Sequence, residues 1–292
     1  MTIHKLLAAP PSPEVGQALV DWVKALRGRI IRGDMIIGIL SVDEVDLAPE
    51  ALRKASVCGI EGALLDLGNW LAAPPFGEPD LAAAQSVFRE AVATEVPGAR
   101  QRLVEFLWFR CRDIATPEEQ REACLMAEEL AKRGGDEGRS LYLLGLLKCQ
   151  GFGTQADPAA ACAMQKKAAE MGNADAMFEA YLYHETGTGV EKDSGTALAY
   201  LRLAADKGHS RGMYNMAAYL ATGRGMPKDL AKAAEWYFRA SEAGNLKATA
   251  NLAMMYARGE GVKKDLEQAE LLFDEAEYMG LDVSDARDSV GL

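Results

Sequence analysis

Four glycine pairs recur in the second half of the chain at one fixed interval: Gly151/Gly153, Gly187/Gly189, Gly223/Gly225 and Gly259/Gly261, each 36 residues beyond the last. An aspartate follows each pair at a constant offset (Asp157, Asp193, Asp229, Asp265), and another glycine closes each unit (Gly172, Gly208, Gly244, Gly280). Three markers holding one period over four copies restrict the chain to stacked supersecondary units. A unit this short cannot bury its apolar face alone and must lay it on a neighbour.

Each unit reads as two helices. In the third copy, Ser210 to Thr222 carries Met213, Met216, Ala217 and Leu220 at helical spacing. Gly223-Arg224-Gly225 breaks that helix, and Asp229 is suited to cap the next one by accepting its orphan backbone N–H groups. The second helix is predicted over Leu230 to Ala243, with Ala233, Ala234, Trp236, Tyr237 and Ala240 inward and Gly244 as a left-handed terminator. In the first copy Asp157-Pro158 pairs a cap with proline at the first helical position. The Gly-x-Gly element follows a helix rather than a strand, and no Lys-Ser/Thr or third glycine completes a nucleotide motif, so it reads as turn geometry.

These units resemble the Sel-1-like repeat, a relative of the tetratricopeptide repeat. The residues that carry the resemblance are Leu144-Gly145, Tyr256, Gly189-Val190, Gly261-Val262, Trp236-Tyr237, Ala168-Ala169, Ala204-Ala205, Gly172-Asn173 and Gly244-Asn245. Departures are Lys148, His184 and Leu220 in place of the tyrosine, and Glu277 for the second alanine of the last copy. The resemblance implies an all-α, right-handed α-solenoid of stacked helix–turn–helix units. Residues 138–281 form the four regular repeats. Residues 62–137 read as two degenerate repeats, with Asp80 and Thr116-Pro117 as helix starts. Residues 1–61 read as an N-terminal helical cap or degenerate repeat, and 282–292 as a C-terminal cap. Within 1–61, Glu14–Leu26 and Ala48–Val57 have helical character, whereas Ile36–Val42 is too short to separate strand from buried helix.

Composition narrows function. The net charge of −11 argues against duplex nucleic acid and against an anionic membrane, and it suits a basic protein partner. Residues 1–137 carry 15 basic and 22 acidic side chains, a net of −7; residues 138–292 carry 17 and 21, a net of −4. No apolar run reaches membrane length, and Met1–Pro13 lacks a signal-peptide core; a cytoplasmic location is expected. Five cysteines (Cys58, Cys111, Cys124, Cys149, Cys162) show no zinc spacing and read as buried thiols. The three histidines are scattered, with His184 at a core position and His209 at a repeat junction. No catalytic, cofactor or metal residue is identified.

The resemblance further implies that the first helices line a concave face. Positions there that the fold does not dictate form rings: Arg139, Asp175, Arg211 and Lys247; Tyr142, Phe178, Tyr214 and Ala250; Leu143, Glu179, Asn215 and Asn251. Tyr142, Phe178 and Tyr214 offer a stacking ladder. Arg139, Arg211, Asn215, Lys247 and Asn251 are placed to bind the backbone or carboxylates of an extended chain. Two functional classes follow: a non-enzymatic scaffold or adaptor that docks a protein or peptide in this groove, or an immunity protein that neutralises a bacterial toxin by direct binding. An enzyme with an unrecognised site in the N-terminal half is the remaining alternative.

Overall fold

A computed structural model describes residues 2–31, 45–133 and 136–292. Every secondary-structure element among them is a helix, sixteen in all. The Ile36–Val42 segment lies outside the described residues. The chain divides into two compact units, Met1–Lys132 and Arg133–Leu292.

The first unit holds α1 (Ile3–Ala8), α2 (Pro13–Ile31), α3 (Ala48–Val57), α4 (Ala63–Ala72), α5 (Leu81–Ala93), α6 (Ala99–Phe109) and α7 (Pro117–Arg133). Its core gathers Leu19, Val23, Leu26, Leu52, Leu64, Leu67, Trp70 and Val87. The stretch at 63–133 holds four helices, and α4 packs on α5 and α5 on α6. Charged pairs stitch alternate helices together at nearly one repeat's separation: Arg53 to Glu90 at 2.5 Å, and Arg89 to Glu122 at 2.7 Å. Such exposed pairs set register more than they add stability, since each is worth about 0–1 kcal/mol.

The second unit holds α8 (Glu137–Gln150), α9 (Pro158–Glu170), α10 (Ala174–Thr186), α11 (Ser194–Asp206), α12 (Ser210–Thr222), α13 (Leu230–Glu242), α14 (Leu246–Arg258), α15 (Leu266–Tyr278) and α16 (Ser284–Asp288). Each helix packs on the next in sequence through α15. The caps explain the boundaries. Asp157, Asp229 and Asp265 accept the N–H three residues on at 2.9–3.0 Å, and Asp193 accepts from both Gly195 and Thr196. The same aspartates tie the loop shut from the other side: their own N–H groups donate to Lys148, His184, Leu220 and Tyr256, nine residues earlier. Asp80 donates to Leu71 in the same way and caps α5, so the loop chemistry of the regular repeats recurs in the first unit without its glycine pair.

Helix exits are equally uniform. Gly244 donates to Ser241 and Asn245 donates to Ala240, the paired bonds of a Schellman end. Helix α13 stops at Glu242, one residue before the predicted Ala243, which serves as the C-cap. At two of the pairs the second glycine does a different job. A Cβ on Gly189 would lie 2.2 Å from the Pro158 carbonyl oxygen, and one on Gly261 would lie 2.2 Å from that of Leu230. There the loop of one repeat touches the start of the preceding repeat's second helix, and only hydrogen fits.

Residues 281–292 close the end of this unit. Val283 is buried, Leu281, Val290 and Leu292 pack on the same core, and Arg287 pairs with Asp274 while lying over Phe273. Cys149 is half-buried, and Cys58, Cys111, Cys124 and Cys162 are buried.

Candidate functional site

The rows of like positions on α8, α10, α12 and α14 come together as side-chain contacts between successive first helices. Arg139 lies over the Tyr142 ring at 5.1 Å and pairs with Asp175 at 2.5 Å. Asp175 also faces His209 Nε2 at 3.5 Å. His209 stacks on Phe178 with ring centroids 4.5 Å apart, and Arg211 lies over the same ring at 4.7 Å. One repeat further, Asn251 Nδ2 donates to Tyr214 Oη at 3.5 Å. A second joint lies nearer the helix ends: Arg224 pairs with Glu185 at 2.5 Å and sits over Tyr219, whose hydroxyl is 3.4 Å from that of Tyr181.

The stacking ladder expected from the sequence is not presented to a ligand. Phe178 is 1% exposed and Tyr142 7%, because Arg211, His209 and Arg139 cover their rings. Only Tyr214 is half-exposed, tilted against Tyr237 at 5.7 Å. Arg139 is likewise engaged by Asp175 and its own tyrosine. Leu143, at the register of Glu179, Asn215 and Asn251, is 1% exposed, so the face is closed at the first repeat. It opens over the next three. There Asp175, Glu179, Asn215 and Asn251 are half-exposed, and Arg211 and Lys247 are exposed.

Electrostatics divides this open part. Burial pushes the Glu179 carboxyl above its usual range; Arg211 opposes that and Asp175 adds to it. Burial likewise raises the Tyr142 hydroxyl. His209 is pushed down by burial, with Asp175 resisting and Arg211 assisting. Its Nδ1 accepts the Gly212 N–H at 3.0 Å, so the imidazole is the N-cap of α12. Asn173 and Asn245 make the equivalent bonds for α10 and α14. The Asp175–His209–Phe178–Arg211 cluster was not anticipated, although Gly208-His209 standing where Gly172-Asn173 stands was a legible signal of the cap.

His184 takes the core position expected of it: it is 6% exposed and stacks on Tyr200, and among the described residues neither ring nitrogen has a hydrogen-bond partner. Away from the first-helix face, a cleft of about 300 Å³ is lined by Ala231, Ala234, Glu235, Phe238, Tyr256 and Val262. Among the described residues, no group of three His, Cys, Asp or Glu side chains is placed to hold a metal ion. None of their helices is long and apolar enough to cross a membrane.

The sequence model of the Sel1 repeat family matches residues 138–173, 174–209, 210–245 and 246–281. Among solved structures, a Sel1 repeat protein of Oxalobacter formigenes is similar over 97% of this chain and 94% of its own, at 22% identity and a TM-score of 0.55. A protective antigen of uropathogenic Escherichia coli with an SLR fold is similar over 83% of this chain at 24% identity and a TM-score of 0.57; this chain spans 50% of that protein's length. An immunity protein of Pseudomonas aeruginosa is similar over 75% of this chain and 81% of its own, at 16% identity and a TM-score of 0.53. At these identities the likeness is one of fold. No curated protein matches the chain.

Proposed function

With residues 138–281 belonging to the Sel1 repeat family as four consecutive repeats, we propose that this chain is a non-enzymatic scaffold that binds a protein or peptide on the first helices of its second, third and fourth repeats. Sel1 repeats generally mediate protein–protein interaction. The observation that carries the reading is the set of polar side chains on α12 and α14 that the fold leaves unused. Lys247 is exposed, with no ion pair among the described residues. Asn215 has no hydrogen bond there, and Asn251 has only the long one to Tyr214. Packing and capping explain the buried members of each helix and do not explain these.

The binding residues of this proposal are Tyr214, Asn215, Lys247 and Asn251, with Arg139, Tyr142, Phe178 and Arg211 as the packed support beside them. Affinity capture with the purified chain, followed by quantitative mass spectrometry, tests it. A partner should be retained by the native chain and lost by the Lys247→Glu, Asn251→Ala double variant. Equal retention by both would move the binding surface elsewhere.

A second reading is that the partner is a toxin and the chain its neutraliser. The acidic balance of −11 supports this, since it complements a basic target over long range. The fold also accommodates that role, as the Pseudomonas aeruginosa immunity protein illustrates. The captured partner separates the two readings: neutralisation requires that the partner has an activity and that stoichiometric chain abolishes it.

A further inference from the structure

The cleft of about 300 Å³ between the third and fourth repeats is bounded by α13, by α14 and by the loop that leads into α15. Its depth follows from one position. In the second repeat Leu198 is half-buried, and its methyl group lies 4.0 Å from where a Cβ on Gly225 would stand. That side chain therefore reaches the loop of the next repeat. The third repeat has Ala234 at the same register, which is too short to do so, and the space in front of Val262 stays open.

The walls of the cleft depart from the repeat pattern in the same place. Phe238 is 54% exposed. At its register the other repeats carry Lys166, Arg202 and Asp274, all charged and exposed. Glu235 stands three residues before Phe238, so the two share one face of α13. It supplies the lining's carboxylate, is exposed, and has no ion pair among the described residues. Nearby bases are engaged elsewhere: Arg239 lies over the Trp236 ring at 4.1 Å, and Lys232 pairs with Asp229 at 3.1 Å. Lys263 and Lys264 follow Val262 in the chain but do not line the cleft. Helix α15, entered from this loop, carries five carboxylates and no base, with Glu267, Glu270 and Glu275 exposed.

An apolar floor, an aromatic wall and an unpaired carboxylate are together the complement of an arginine side chain. Its stem lies along apolar carbon while the charged head stays at the rim. The planar guanidinium stacks on an aromatic ring and pairs with a carboxylate through two parallel N–H groups, whereas the ammonium of lysine has no flat head to stack. We propose that this cleft is a second docking site, separate from the first-helix face, and that it receives an exposed arginine of a basic protein partner. The stem lies against Leu252 and Val262, and the guanidinium sits between Phe238 and Glu235. The chain's net charge of −11 draws a basic partner in over long range. Arginine is also among the residues that anchor interfaces by filling such pockets.

Nα-acetyl-arginine amide, titrated into the full chain with isotope-labelled leucine and valine methyl groups, tests this by NMR. The methyl resonances of Val262 and Leu252 should move saturably, and the lysine and norleucine amides should bind more weakly. Glu235→Gln should weaken arginine binding at least ~5-fold, the upper end for an exposed ion pair. Ala234→Leu, which installs the residue that the second repeat uses, should abolish the shifts without lowering the melting temperature. Should that variant unfold, Phe238→Ala carries the test, because it changes an exposed side chain and should weaken binding with the fold intact. Static Val262 and Leu252 methyls, equal affinity for the lysine amide, or shifts that survive both Glu235→Gln and Phe238→Ala overturn the inference. The Lys247→Glu, Asn251→Ala variant should keep the shifts, so the cleft and the first-helix face stand or fail separately.

Discussion

Gly244 and Gly261 have nearly the same backbone conformation, φ +78° and +73°, and opposite surroundings. A Cβ on Gly244 would meet nothing within 4 Å, whereas one on Gly261 would lie 2.2 Å from the Leu230 oxygen, 2.3 Å from its carbon and 2.8 Å from the Ala231 nitrogen. Alanine at either position bears the left-handed strain of an L-residue, about 1–2 kcal/mol. At Gly261 the contacting atoms are backbone at the first turn of α13, so no rotamer change relieves them, and the loop must retreat by about 1 Å to reach normal contact distance. Overpacking of that kind adds about 1–3 kcal/mol. Gly244→Ala should therefore cost about 1–2 kcal/mol and Gly261→Ala about 2–5 kcal/mol. Gly189→Ala should match the latter, since its Cβ meets the Pro158 backbone at the same 2.2 Å; Gly225→Ala should match the former, since its nearest neighbour is a Leu198 side-chain carbon at 4.0 Å. Urea titrations of the four variants, read as shifts in midpoint at constant slope, give the order directly. Equal losses at Gly244 and Gly261 would show that the second glycine serves turn conformation alone and that the contact between repeats is soft.

Asp229→Ala should cost about 0.5–2 kcal/mol by urea midpoint, because it frees the Lys232 N–H that Asp229 accepts. Arg211→Glu should lower the melting temperature while Lys247→Glu leaves it within a degree or two: the first uncovers Phe178 and sets a third acid beside Asp175 and Glu179, and the second changes an exposed side chain that has no ion pair among the described residues. His209 has its pKa held below the unfolded value near 6.5 by burial, so the unfolded chain binds the proton first. Its contribution is then complete above that pH and is lost as the pH falls, since protonating Nδ1 ends the bond from Gly212. His209→Asn, which installs the cap used by α10 and α14, should therefore flatten the fall in urea midpoint between pH 7.5 and 5.5. A native-like slope in that variant would assign the dependence to another group; Glu179, raised in the folded state, acts in the opposite direction and is common to both proteins.

The regular repeats were legible because their markers are backbone requirements. Capping aspartates, glycines at positive φ and proline at a first helical position each permit few substitutes, so they survive as a period that can be counted. The helix Ser210–Thr222 and the capping bond of Asp229 follow from those markers alone. The helices of the first unit were harder to place because their loops and ties use other devices. Asp80 retains both loop bonds, but Gly77 stands alone in its loop, and charged pairs such as Arg89–Glu122 tie the helices.

The candidate face was legible as a set of positions and misleading as a set of roles. Register placed Tyr142, Phe178 and Tyr214 on one row correctly, but a row says nothing of what covers it. An arginine three residues before an aromatic can reach solvent, or it can fold over a ring as Arg139 does on Tyr142. Arg211 lies three residues before Tyr214 and instead covers Phe178 of the previous repeat. That choice depends on the second shared partner, Asp175 for Arg139 and the Asp175–Glu179 pair for Arg211, which stands on a different helix 36 residues away from the first arginine. Aromatic rings with arginine across them are then part of the packing between repeats, and the groups left for a ligand are the ones with no such neighbour. By that criterion the face starts at the second repeat and its chemistry is set by Asn215, Lys247 and Asn251 rather than by the aromatic ladder.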